Sequence, residues 1–159
     1  MTLLHAPILE SRSLQWPDEA ACAAFAAALA RRPALHDAYV ELSGSLGAGK
    51  TTFVRHLLRA LGVHGRIKSP TYTVLEPYAL PALEVSHFDF YRFADAREWA
   101  DAGFREIFAR PGLKLAEWPQ NAAAQLPQAD LRLDIEVLDE TRRRITLQAF
   151  TPRGVALLE

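Results

Sequence analysis

Residues 44 to 51 read Gly44-Ser45-Leu46-Gly47-Ala48-Gly49-Lys50-Thr51, the G-x-x-x-x-G-K-[ST] spacing of a phosphate-binding loop, and Thr52 follows. Glycines suit such a loop because the backbone must curl until successive N–H groups face phosphate oxygens, and a Cβ on the concave side would block that approach. Lys50 offers a point charge to β- and γ-phosphates, and the Thr51 hydroxyl offers one oxygen to Mg²⁺. A helix beginning near Gly49 would turn its unpaired N–H groups and positive dipole end toward the same anion. The competing reading is an ordinary glycine-rich turn between a strand and a helix.

The motif has meaning only between those two elements, and both are legible. Ala38-Tyr39-Val40-Glu41-Leu42 is short, rich in strand-favouring residues and runs into the first glycine. After the loop, Phe53, Val54, Leu57, Leu58 and Leu61 recur at helical spacing, and Gly62 supplies a stop. The order strand, glycine loop, helix therefore predicts a nucleotide-phosphate site.

Phosphoryl chemistry also needs acidic groups near the metal and the attacking oxygen. Two carboxylates close strand-like runs: Asp89 in His87-Phe88-Asp89-Phe90-Tyr91-Arg92, and Glu117 after Gly112-Leu113-Lys114-Leu115-Ala116. Strand alternation puts Leu113, Leu115 and Glu117 on one face. Ligands of open α/β sheets gather at the carboxyl ends of strands, where both acids would lie. Each could equally be a solvated strand end. The hydroxyl-rich segment Lys68-Ser69-Pro70-Thr71 could act as a switch-like loop ordered by a γ-phosphate, or be a simple proline turn. None of the five histidines forms a metal-ligand pair on a readable element. His87, two residues from Asp89, is expected to make a structural hydrogen bond.

The flanking elements fill out one domain. Residues 2 to 15 read as an edge strand or hairpin. Pro17 opens a helix with Asp18 and Glu19 in its first turn, closed by Arg31-Arg32 before Pro33. Strand-like runs cover Thr71 to Glu76 and Leu83 to Phe90, with Pro77 and Pro81 between them. Residues 94 to 109 have helical spacing interrupted at Gly103. Leu113 to Glu117, Leu131 to Leu138 and Arg144 to Phe150 read as strands, the last two joined by a turn at 139 to 142. The expectation is a single α/β phosphate-loop NTPase domain over residues 1–159, with a mixed, mostly parallel central sheet flanked by helices and antiparallel C-terminal strands.

The chain has 159 residues, 50% hydrophobic and 23% charged, enough for one packed core. A net charge of −1 gives no overall field for gripping nucleic acid, so no DNA-binding role is expected. Arg142-Arg143-Arg144 reads as a turn or solvated strand edge. Cys22 is the single cysteine, which excludes an internal disulfide, and its alanine-rich surroundings suggest a small buried hydrophobe. No secretory signal or bilayer-length apolar run is evident, so a cytoplasmic protein with no membrane role is expected.

Taken together, Gly44 to Thr52, Ser69-Pro70-Thr71, His87 to Arg92 and Glu117-Trp118-Pro119 resemble the TsaE family, bacterial phosphate-loop ATPases of tRNA threonylcarbamoyladenosine biosynthesis. The strong part of the match runs from about residue 40 to residue 120. The resemblance implies ATP and Mg²⁺ as ligands. It also implies two partner proteins, TsaB and TsaD, which modify adenosine 37 of tRNA, with the ATPase weak alone, reaching tRNA through the complex and resetting it between turnovers. Carried onto this sequence, it implies that Lys50 binds phosphate, Thr51 binds Mg²⁺ and Glu117 assists the metal. Asp89 would be the catalytic acid or water-orienting group, Ser69 and Thr71 would belong to a switch-like loop, and Trp118 would lie near the nucleotide. Ser45 departs from the Asp common in the family, which removes a negative charge beside the phosphates. Independently, no Asn-Lys-x-Asp guanine-reading motif follows any of Lys50, Lys68 or Lys114, which favours adenine. A small-molecule kinase and a nucleotide-gated adaptor without essential turnover are the alternatives.

Overall fold

The computed structural model describes residues 7–68, 70, 73–94 and 103–159. Its centre is built from strands too apolar to face water on either side. The strand ahead of the phosphate loop, β2 (Tyr39–Ser43), follows β1 (Glu10–Trp16) and helix α1 (Glu19–Ala30). The loop then leads into α2 (Lys50–Leu61), the hairpin β3 (Leu75–Leu80) and β4 (Leu83–Asp89), and the short helix α3 (Phe104–Ala109). The chain continues through β5 (Leu113–Glu117), β6 (Leu131–Val137), β7 (Arg143–Ala149) and α4 (Pro152–Ala156). The seven strands form one sheet in the order β1-β7-β6-β2-β5-β4-β3. The central four, β6, β2, β5 and β4, are parallel, whereas β1 and β7 on one side and β3 on the other are antiparallel to their neighbours.

Every residue of β5 is buried, as expected of a parallel strand covered on both faces. Alternation divides the sheet into two cores. Val40, Leu42, Leu113, Leu115 and Leu133 pack in one cluster with Leu29 of α1 and Phe53, Leu57 and Leu58 of α2. Tyr39, Phe88 and Ala116 share the second with Phe90, Phe93 and Phe104. Full burial of one such Leu or Phe contributes about 1.5–3 kcal/mol, so α2 is anchored mainly by its apolar stripe. Its C-terminus is closed by Gly62 at φ 108, a left-handed position that suits glycine.

Several boundaries differ from their expected places. Helix α1 starts two residues after Pro17 because Asp18 is its cap, accepting a 2.9 Å hydrogen bond from the Ala21 N–H. β3 begins at Leu75 and runs through Pro77 instead of ending before it. An edge strand tolerates proline because the missing N–H need not serve a neighbour. Gly103, at φ 70, starts α3 instead of interrupting a longer described helix, and residues 95–102 of that expected segment lie outside the described residues. Helix α4, which the sequence reading left out, is capped by Thr151, whose hydroxyl accepts from the Gly154 N–H at 3.0 Å. No helix of the described residues is long and apolar enough to cross a membrane.

Asp130 fixes where the central strands begin. Its Oδ2 accepts from the Tyr39 N–H at 2.8 Å and its Oδ1 from the Thr151 hydroxyl at 2.7 Å, joining β2, β6 and α4. Asp130→Ala should leave that buried N–H without its acceptor and cost about 2 kcal/mol. Urea unfolding should show a lower midpoint with an unchanged slope.

Candidate phosphate-binding site

β2 delivers the chain to Gly44 at φ 146, where a Cβ would stand 2.6 Å from the Ile135 carbonyl oxygen of β6. Glycine is required there by close approach as well as by conformation. Gly47 and Gly49, at φ 80 and 111, meet no such obstacle and are needed for their left-handed backbone alone. The Ala48 N–H closes the loop onto Ser45 O at 3.0 Å, and α2 begins at Lys50 with Gly49 as its cap. Ser45, Leu46 and Gly47 form the exposed crest of the loop. Lys50 is only 5% exposed. Its Nζ donates to Gly44 O at 2.5 Å and lies 3.7 Å from the centroid of the Trp118 ring. Burial pushes its pKa down, opposed by the carboxylates of Glu117 and Asp89.

The acids arrive through strand register. Leu42 pairs with Glu117 across β2 and β5, and Glu117 pairs with Asp89 across β5 and β4. All three strands end beside the loop, so Thr51 at the start of α2 meets Glu117: Thr51 Oγ1 donates to Glu117 Oε1 at 3.0 Å. The other oxygen, Oε2, lies 2.6 Å from His87 Nε2. Glu117 and His87 are 2% and 1% exposed, so this carboxylate is satisfied by a short polar chain and not by solvent. Asp89 is half-buried, and its Oδ1 accepts from the Tyr91 N–H at 2.9 Å. Burial raises its pKa above the ordinary value; the Tyr91 N–H opposes the rise, Glu117 adds to it, and His87 and Lys50 oppose it.

Lys50, Thr51, Asp89, Glu117 and Trp118 thus lie together at one end of the sheet. Ser69 and Thr71 lie outside the described residues. The expected structural hydrogen bond of His87 exists, and its partner is Glu117 itself. A cleft of about 240 Å³ was not foreseen; it adjoins the loop and is lined by Trp16, Asp18, Cys22, Ala48, Gly49, Thr52 and Arg143, among others. Its wall joins β1 and α1, near one end of the chain, to β7, near the other, and the arginine run at 142–144 reads in the sequence only as a turn or solvated strand edge. The described residues hold no group of three or more His, Cys, Asp or Glu side chains that could cage a metal unaided. One threonine hydroxyl facing one carboxylate, with Asp89 close by, fits a Mg²⁺ ion that keeps waters and takes phosphate oxygens as its other ligands.

A parallel-centred sheet whose β2 passes through a glycine loop into α2, with acids ending the two next strands, defines an α/β protein of the phosphate-loop class. Comparison with known proteins narrows the class. The family model described as threonylcarbamoyl adenosine biosynthesis protein TsaE matches residues 16–145. A Haemophilus influenzae protein named tRNA threonylcarbamoyladenosine biosynthesis protein TsaE is 42% identical over 115 residues, 72% of each chain. A Bacillus subtilis protein of the same name is 38% identical over 120 residues, 76% of this chain and 75% of its own. The crystal structure of Bacillus subtilis YdiB superposes with a TM-score of 0.76 at 29% identity, covering 94% of this chain and 92% of that one. The chain belongs to the TsaE family.

Cys22 lines the cleft yet is 4% exposed, and burial with Glu19 nearby pushes its thiol pKa up to about 11. The thiolate is the reactive form. Iodoacetamide at pH 8 should therefore label the folded protein at least about tenfold more slowly than the urea-unfolded chain. Equal rates would show that the thiol is neither buried nor shifted.

Proposed function

We propose that this protein binds ATP with Mg²⁺ and hydrolyses it in support of tRNA threonylcarbamoyladenosine synthesis. In this reading, turnover serves the cycle of a TsaB–TsaD pair in the cytoplasm and tRNA is reached through that complex. The observation that carries it is the contact of Thr51 Oγ1 with Glu117 Oε1 beside Lys50 and Asp89, four phosphate-chemistry groups brought together from α2, β4 and β5. Membership of a family named for this pathway supplies the setting.

Each residue then has a task its surroundings support. The amides at the α2 N-terminus take phosphate oxygens, and Lys50 turns from Gly44 O to the β- and γ-phosphates. Trp118, packed over Lys50 and 5.0 Å from Tyr91, shields that charge from solvent until phosphate takes it. Mg²⁺, once bound, neutralises charge on the phosphates. Thr51 and Glu117 hold its position, and His87 keeps the Glu117 carboxylate from rotating. Asp89, displaced toward protonation by burial, orients the attacking water and takes up its proton. The cleft between α1 and β7 receives the nucleoside, with Trp16 and Thr52 in its lining.

Lys50→Ala should abolish ATP binding in calorimetry. Asp89→Ala should bind ATP normally and lose about 100-fold or more in turnover. The decisive assay measures phosphate release by the wild type with and without the cognate TsaB–TsaD pair. Slow release alone and strong stimulation by the pair is expected; no stimulation would remove the proposed link to that cycle. Normal hydrolysis by both variants would overturn the site assignment.

A further inference from the structure

Arg143 belongs to the arginine run that reads as a solvated strand edge, yet its guanidinium does not simply face water. It opens β7, paired with Trp16 of β1 and Val137 of β6. From there Nε donates to Ala48 O at 2.8 Å, while Nη1 donates to Asp139 O at 2.8 Å and Arg142 O at 3.1 Å. One planar fork therefore ties the β6–β7 turn to the middle of the phosphate loop. The turn is itself stiff. Asp139 Oδ1 accepts from the N–H groups of Thr141 and Arg142 at 3.0 and 2.8 Å, and Oδ2 pairs with Arg142 Nε at 2.6 Å.

The held atom decides what this clamp can do. Ala48 O belongs to the Ala48–Gly49 peptide, and a trans peptide directs its N–H opposite to its carbonyl. Drawing Ala48 O toward Arg143 therefore fixes the direction of the Gly49 N–H. Ala48 is fully buried, and its own N–H, in the preceding Gly47–Ala48 peptide, is committed to Ser45 O, so the plane before the held one is fixed as well. On the helix side the Gly49 carbonyl is held by the Phe53 N–H at 3.0 Å, so the freedom left is rotation of the Ala48–Gly49 peptide plane. Gly49 has no Cβ, and nothing lies within 4 Å of where one would stand, so no side chain of its own limits that rotation.

We propose that Arg143 is a positioning residue that presets the Gly49 N–H for a phosphate oxygen. This deepens the nucleotide-binding reading and rests on it. The ligand chemistry concerned is the phosphate chain itself and not the nucleoside, although Arg143 also lines the adjoining cleft.

The test compares the wild type with Arg143→Ala and Arg143→Lys, using ATP and inorganic tripolyphosphate as calorimetric ligands. The 15N order parameter of the Gly49 N–H is followed in the ligand-free proteins. Loss of one charge-assisted hydrogen bond should weaken Arg143→Ala about tenfold for both ligands, leaving their affinity ratio unchanged. The Gly49 order parameter should fall from the rigid range of about 0.85 toward about 0.6, while core amides of β2 and β5 keep theirs. Arg143→Lys keeps the stem and one donor and should fall between; it also stands in if the alanine variant fails to fold. Binding of both ligands within twofold of wild type, or an unchanged Gly49 order parameter, would overturn the proposal. So would a loss confined to ATP, which would make Arg143 a nucleoside contact. If the wild type bound neither ligand, the nucleotide reading would fail, and with it the proposed use of the clamp; a lowered Gly49 order parameter in Arg143→Ala would then show the clamp to be purely structural.

Discussion

The parallel register of β2, β5 and β4 is the constraint on which the site depends. Leu42 sits opposite Glu117 and Glu117 opposite Asp89, so the phosphate loop and both acids emerge at the same level of the sheet. A slip of one residue in β5 would exchange Glu117 for Ala116 on the face beneath α2 and push Leu113 and Leu115 out of their core. The apolar burial that stabilises the fold is thus the same event that aims the carboxylates. Stability and chemistry are not separable in these short strands.

Within that frame the polar groups are arranged so that few are left to water. Glu117 lies deep enough that an unpartnered carboxylate would be costly, and Thr51 and His87 take one oxygen each. Lys50, equally deep, rests on a loop carbonyl and beneath an indole. The chain holds Trp118 at φ 56, a left-handed conformation that costs a bulky residue on the order of 1–2 kcal/mol. That strain sits directly after Glu117 and beside Lys50, where the backbone must turn sharply to bring the ring over the lysine. Phe90 N–H donating to Glu117 O at 3.0 Å carries the hydrogen-bonded pairing one residue beyond the end of β4. The phosphate loop, the β4 end and the β5 end consequently behave as one unit.

How much of this could be read in advance varied with the range of the interactions involved. The loop, the strand before it and the helix after it were legible because glycine spacing, strand-favouring residues and helical periodicity are local signals. β5 was legible for the same reason, down to the shared face of Leu113, Leu115 and Glu117. The continuation of β3 through Pro77 was not, since the tolerance of that proline depends on its strand being at an edge, which only the strand order reveals. α1 began later than expected because a carboxylate cap outweighed the signal of the nearby proline. The histidine bond was anticipated in kind, while its partner lies thirty residues away on another strand.

By itself the sequence determined the phosphate loop, the α/β class and, through four ordered motifs, the resemblance to the TsaE family to which the chain belongs. Those are properties of neighbouring residues, set by backbone freedom at glycine and by side-chain periodicity. Tertiary structure alone decided that Glu117 would face Thr51 and His87, that Trp118 would cover Lys50, and that Arg143 would grip the phosphate loop from ninety-five positions away. Nothing local encodes such contacts. They exist because strands distant in the chain are brought edge to edge by the burial of their apolar faces, and a few polar groups are then left to find one another at the rim.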